Sequence, residues 1–176
     1  PVSTLLLPVS RPLARRSLLP TLGVGCQACL DLGLVEAEQP SFTVAQATGC
    51  SPVATAFAEG WDVCKPQRPD TIAKSLAIGD PADGPYALDL ARRTGGSIDA
   101  VSDDEIRAGI KLLAETTGIF TETAGGVTVA VLAQLAERGD IAPAERVVAV
   151  ITGEGLKTAD CARGTFETWA HEPTPA

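Results

Sequence analysis

Val147-Val-Ala-Val-Ile-Thr-Gly-Glu-Gly-Leu-Lys157 carries an apolar run straight into a glycine-spaced turn. A continuous apolar run of this kind is the pattern of a strand covered on both faces, as in a parallel sheet lying between layers of helices. Gly153 and Gly155 permit tight backbone geometry and close approach of a ligand. Thr152 sets a hydroxyl at the strand's mouth, able to donate or accept a hydrogen bond. The turn lacks the six-residue dinucleotide fingerprint and the G-K-[ST] ending of a phosphate loop. Taken alone, it reads equally well as a plain strand-to-loop connection.

Working outward, a helix is expected from about Thr123 to Glu137, with Val127, Val131 and Leu135 on one face and Gly139 beyond its end. The segment before it, Gly118-Ile-Phe-Thr-Glu-Thr-Ala-Gly-Gly-Val127, is a second candidate site. Glu122 stands just ahead of the helix, and Thr123, Gly125 and Gly126 place small residues and free N–H groups at its positive end. The same stretch also reads as a capped helix packed through small residues against a sheet. Earlier still, Ser97 to Val101 is a short strand, and Ser102-Asp-Asp-Glu105 is a capping box ahead of Ile106, Ile110 and Leu113 at helical spacing. Asp103, Asp104 and Glu105 serve the cap and the helix dipole better than a metal.

The first half is less regular. A strand is expected at 4–9, a helix at 22–33 ending on Gly33, and a strand at Phe42 to Gln46 closing on a turn at Gly49. Ser51-Pro52 places an N-cap candidate before a short helix that ends at Gly60. Residues 61–70 read as a loop, Thr71 to Ile78 as helical, and Gly79 to Gly84 as a turn. Strands alternating with helices imply an α/β fold with a mainly parallel sheet and flanking helices. In such sheets ligands bind beyond the carboxyl ends of the strands.

At 176 residues the chain is long enough to bury roughly 70% of the surface an unfolded chain exposes. The net charge of −8 argues against nucleic-acid binding. Arg11, Arg15 and Arg16 lie in an acid-free leader, so the rest of the chain holds all 22 acidic groups. No apolar run approaches a membrane span, and no partner membrane is expected. The odd number of cysteines fits reduced thiols in a cytoplasmic setting. Cys26-Gln-Ala-Cys29 has zinc or redox spacing but no second pair, and the single histidine, His171, lies in a proline-rich tail, so no metal is expected.

Five segments recur together. Gly49-Cys-Ser-Pro-Val-Ala-Thr-Ala-Phe-Ala-Glu-Gly60, Thr71-Ile-Ala with Ile78-Gly-Asp-Pro81, Val101-Ser-Asp-Asp-Glu-Ile106, Gly118-Ile-Phe with Glu122-Thr-Ala-Gly-Gly126, and Ile151 to Lys157, in this order and spacing, resemble the C-terminal half of the threonine synthase family. The resemblance covers about residues 29–158. It implies the large C-terminal domain of the pyridoxal-phosphate fold related to the tryptophan synthase β subunit. It also implies a cytoplasmic lyase of threonine biosynthesis that converts O-phospho-L-homoserine and water to L-threonine and phosphate with pyridoxal 5'-phosphate as cofactor. By the same resemblance, Thr152 hydrogen-bonds the pyridine nitrogen, and Glu122 and Gly125 line the ring's surroundings. A homodimer is left open.

The departures matter as much. The family's cofactor-anchoring lysine belongs to an N-terminal half absent here, and none of Lys65, Lys74, Lys111 and Lys157 fits its motif. No catalytic residue is therefore assigned. Where the family has a glycine- and asparagine-containing loop for the cofactor phosphate, Arg11-Pro-Leu-Ala-Arg-Arg-Ser17 stands instead, and proline with bulky side chains cannot form a glycine nest. These features, with the absence of Met, lead us to expect a truncated or frame-shifted product. It divides into a divergent basic leader (1–28), an α/β domain (29–160) and a tail (161–176), and is inactive alone. The alternatives are a non-catalytic fragment binding a small anion or a protein, or another enzyme of the fold such as threonine dehydratase.

Overall fold

The computed structural model describes residues 4–8, 18–36 and 39–164. The elements follow the order β1 (Thr4–Pro8), α1 (Leu18–Asp31), β2 (Ser41–Ala47), α2 (Pro52–Ala58), α3 (Gly84–Arg93), β3 (Ile98–Val101), α4 (Asp103–Thr117), α5 (Thr123–Glu137) and β4 (Val147–Ala149). The four strands pair in parallel in the order β3-β2-β1-β4. Alternation along the strands builds two cores. Leu5, Phe42, Val44 and Ile98 face α1, α2 and α3, whereas Leu6, Ala45, Ala47 and Val101 face α4 and α5. The result is helix, sheet, helix, the layering expected of an alternating chain. Because β1 has β2 on one side and β4 on the other, the strand order reverses beside it, the switch point at whose carboxyl side sheets of this kind bind ligands.

Several local expectations are met. Ser102 and Glu105 form a complete capping box at the start of α4, with Glu105 Oε2 accepting from Ser102 N at 2.7 Å and Ser102 Oγ accepting from Glu105 N at 3.3 Å. Hydrogen bonds from the Ser102 hydroxyl and then its backbone hold the Glu105 carboxyl below its ordinary value. A depressed carboxyl contributes stability above its unfolded value, and that contribution disappears as pH falls through the folded one. Helix α5 matches its expected span, with Val127, Val131 and Leu135 buried.

Four expectations need correction. The 71–78 stretch winds only as a 3-10 turn, Lys74–Leu76. The Asp103 carboxylate accepts from Thr71 Oγ1 at 2.5 Å and from Ile72 N at 3.1 Å, and beyond them Leu76 N and Ala77 N bond back three residues, to Ala73 O and Lys74 O, while Lys74 N and Ile78 N bond back only two, so no α-helical ladder forms. Helix α3 was not foreseen. It begins inside the glycine-proline turn and buries Ala87, Leu88, Leu90 and Ala91. Strand β4 is shorter than the apolar run and lies at the edge of the described sheet, with Val148 exposed. Finally, the Ser51 side chain does not cap α2. The buried Gln46 does so from inside the sheet, its Oε1 accepting from Val53 N at 3.0 Å and Ala54 N at 2.8 Å.

Gln46→Met should therefore orphan two buried N–H groups and cost about 1–3 kcal/mol, whereas Ser51→Ala should stay within about 0.5 kcal/mol of the parent. Urea unfolding monitored by circular dichroism measures both, and equal effects would contradict the assignment of the cap to Gln46.

Candidate functional site

Helices α2 and α4 start just past the carboxyl ends of β2 and β3, and the entrance of α5 is held beside the turn that follows β4. There the two glycine-rich segments singled out in the sequence are joined. Thr121 and Glu154 form an antiparallel bridge. Gly155 N donates to Phe120 O at 3.1 Å, Thr121 Oγ1 donates to Gly153 O at 3.2 Å, and Glu122 N lies 3.4 Å from the same carbonyl. The turn after β4 is thereby fastened to the entrance of α5.

Glycine is required for this fastening. Gly153 has φ +80°, and a Cβ there would stand 2.2 Å from the Glu122 carboxyl group. A Cβ on Gly155 would overlap the Phe120 ring at 2.3 Å. Gly125 is buried, and its missing side chain makes room for Thr121, whose Oγ1 would lie 2.0 Å from an added Cβ.

Around this knot lie polar groups that the fold leaves unused. Thr152 is half-buried, and its hydroxyl enters none of the hydrogen bonds found among the described residues. Glu122 occupies the N-cap of α5, is only 9% exposed, and makes no side-chain cap bond. Thr123 is fully buried, with its Oγ1 lacking a partner. An unsatisfied buried hydroxyl beside a buried carboxylate calls for an explanation, and a bound ligand supplies one. Sequence reasoning did not single out Thr121 and Thr158. Thr158 Oγ1 accepts from Thr123 N at 3.2 Å across a separation of 35 residues, and no local pattern announces such a contact.

Among the described residues no lysine amine is found hydrogen-bonded or ion-paired to this knot. Lys65 lies over the Trp61 ring at 3.5 Å, Lys111 is 3.7 Å from Glu115, and Lys74 and Lys157 are exposed. Burial, then the neighbouring Cys29, pushes the Cys26 thiol up, and burial does the same at Cys50, so these sulfurs are protonated near neutral pH. Among the described residues no group of three or more His, Cys, Asp or Glu could hold a metal. The Arg11 to Ser17 segment and His171 lie outside the described residues.

Residues 21–153 match the family model described as pyridoxal-phosphate dependent enzyme. The chain belongs to this family. Within the family, it is 41% identical over 131 residues to a threonine synthase of Methanocaldococcus jannaschii, covering 74% of this chain and 32% of that protein. It is 44% identical over 96 residues to a threonine synthase of Bacillus sp. (strain ULM1), covering 54% and 27%. The chain thus spans only about a third of the length of these curated relatives. Among solved structures, maize serine racemase superposes with a TM-score of 0.64 at 17% identity, over 88% of this chain and 44% of that one. The processed form of threonine deaminase isoform 2 from Solanum lycopersicum gives 0.62 at 20%, over 92% and 45%. At these identities the structural likeness establishes the fold.

The residues at the knot fit the edge of a flat heteroaromatic cofactor. They provide a neutral hydroxyl at Thr152, an orphaned hydroxyl at Thr123 and a side-chain-free backbone at Gly153. Gly153→Ala should cost about 1–3 kcal/mol through overlap with Glu122, beyond the roughly 1 kcal/mol of a positive φ alone. Gly164→Ala, at φ +81° with open space around it, reports the latter cost by itself. Thermal unfolding of the two variants separates the contributions, and identical losses would show that the Glu122 contact is not tight.

Proposed function

We propose that this chain is the ring-binding portion of a threonine synthase-like lyase, which in the complete enzyme converts O-phospho-L-homoserine and water to L-threonine and phosphate. The observation that carries the reading is the joining of Thr152, Glu122 and Thr123, whose side chains have no hydrogen-bond partner among the described residues, at the carboxyl end of a parallel sheet. The similarity to threonine synthases supports the substrate class.

When bound, pyridoxal phosphate supplies an electron sink for charge developing on substrate carbon. Thr152 offers the pyridine nitrogen a neutral hydroxyl, which, unlike a carboxylate, does not stabilise a proton there. Glu122 lines the ring's surroundings. Gly125 lets Thr121 pack closely, which keeps the entrance of α5 pinned to the Gly153 carbonyl. The lysine and the substrate-phosphate groups are assigned to the rest of the enzyme, since none of the four lysines here fits the family's motif.

The same reading divides the chain into a leader (1–28), the α/β domain (29–160) and a tail (161–176), and places the protein in the cytoplasm. No helix among the described residues is long and apolar enough to cross a membrane.

Incubated with pyridoxal phosphate and O-phosphohomoserine, the chain alone should release no phosphate above a denatured control. Mixing it with the remaining part of the Methanocaldococcus jannaschii relative should restore release, and Thr152→Val should then lower kcat/KM by about tenfold or more. Stable association without phosphate release would favour a non-catalytic binding fragment, and release by the chain alone would overturn the division of labour.

A further inference from the structure

We propose that a cavity at the amino end of the sheet, opposite the candidate cofactor edge, binds a small protonated amine that also carries a hydroxyl group. Thr4 opens β1 and Ser41 opens β2 beside it in register, Thr43 follows on the same face of β2, and Ser97 precedes β3. By alternation these side chains share the face of Leu6 and Ala45, which α5 covers with apolar residues further along the strands. Here the cover ends: Leu135, in the last turn of α5, lines the cavity, and the chain turns away at Gly139. Asp140 and Glu145, from the connection to β4, complete the lining of a space of about 430 Å³, a size that suits a small ligand. Thr4 and Thr43 are buried, at 5% and 4% exposure, so hydroxyls stand where a covered sheet face otherwise carries apolar groups.

The hydrogen bonds inside the cavity show what a ligand must supply. Three of the four hydroxyl protons are spent: that of Thr4 on Glu145, that of Ser41 on Thr4 Oγ1 at 2.9 Å, and that of Ser97 on Asp99 Oδ2 at 2.5 Å. The Thr43 oxygen accepts from Ser97 N at 3.4 Å, but its own proton meets no acceptor among the described residues. A buried donor of this kind calls for an acceptor, which a ligand hydroxyl provides. The charges ask for a cation. No lysine or arginine lines the cavity, and the neighbouring Arg138 is already shared between Asp99, at 2.9 Å, and Asp140, at 2.7 Å. Asp99, Asp140 and Glu145 therefore outnumber it, and the C-terminal end of α5 adds partial negative charge. Two lining carboxylates among neutral hydroxyls suit the directed N–H bonds of an ammonium group, and no group able to hold a metal is found among the described residues.

The test uses the full chain and needs neither cofactor nor the rest of the enzyme, so its outcome is independent of the ring-binding reading. Ethanolamine titrated into the nitrogen-15-labelled chain should shift the amide resonances of Thr43, Gly96 and Ser97 saturably and leave those of Thr123 and Gly153 in place. Ethylene glycol, which lacks the charge, and ethylamine, which lacks the hydroxyl, should each bind at least about fivefold more weakly. Asp140→Asn should weaken ethanolamine by a similar factor, whereas Asp104→Asn, at an exposed pair on α4, should not. Thr43→Val should remove the preference for ethanolamine over ethylamine, and the comparison of the two amines in the parent tests the same contact should that variant fail to fold. A cavity filled by water alone would give no saturable shift. That result, equal binding of ethylene glycol and ethanolamine, or undiminished binding in Asp140→Asn would overturn the proposal.

Discussion

The structure depends on the burial of α5. A helix that is apolar around most of its circumference must be covered on several sides, and here the sheet covers one side and α4 another. Contact with α4 is close because both helices carry glycine where they meet. A Cβ on Gly109 would stand 2.4 Å from the Gly126 carbonyl oxygen, and one on Gly126 would stand 2.7 Å from that of Ile106. With its flanks fixed, the N-terminus of α5 has one place to go, the carboxyl edge of the sheet, and Thr121 to Thr123 arrive there as a rigid group. The chemistry of the site follows from helix packing before any ligand is considered.

Much of this was legible because it is local. The capping box at Ser102, the apolar stripe of α5 and the glycines at 153 and 155 each act within a few residues, so sequence spacing reports them directly. What was misread involves partners far along the chain. The 71–78 stretch looks helical, but its start is tied to Asp103 at the head of α4 and its amides bond back two or three residues instead of four, and Ser51 looks like a cap until Gln46 reaches out of β2. Helix α3 was hidden by its own start, since Gly84 and Pro85 signal a turn as strongly as they signal a first helical turn.

The site shows the same division. Thr152, Glu122 and Gly125 were found from short motifs, and the structure gathers them around one knot. Thr121 and Thr158 were invisible because their importance lies in bonds across more than thirty residues. The breadth of the family match and the fold likeness of racemases and deaminases show that this scaffold is shared. Specific chemistry must come from the groups placed at its edge.

Helix starts beyond the carboxyl ends of the strands also give the molecule an uneven electric field. At long range an approaching anion meets a net charge of −8. Within the last few ångströms of a helix start it meets N–H groups and a positive dipole end, as at α4, whose acids are already engaged in its cap and in the tie to Thr71. Ions in solution screen the first interaction over about 8–10 Å and scarcely touch the second. Salt should therefore ease the encounter with an anionic ligand while leaving its final grip largely unaltered, the reverse of what a basic binding surface would show.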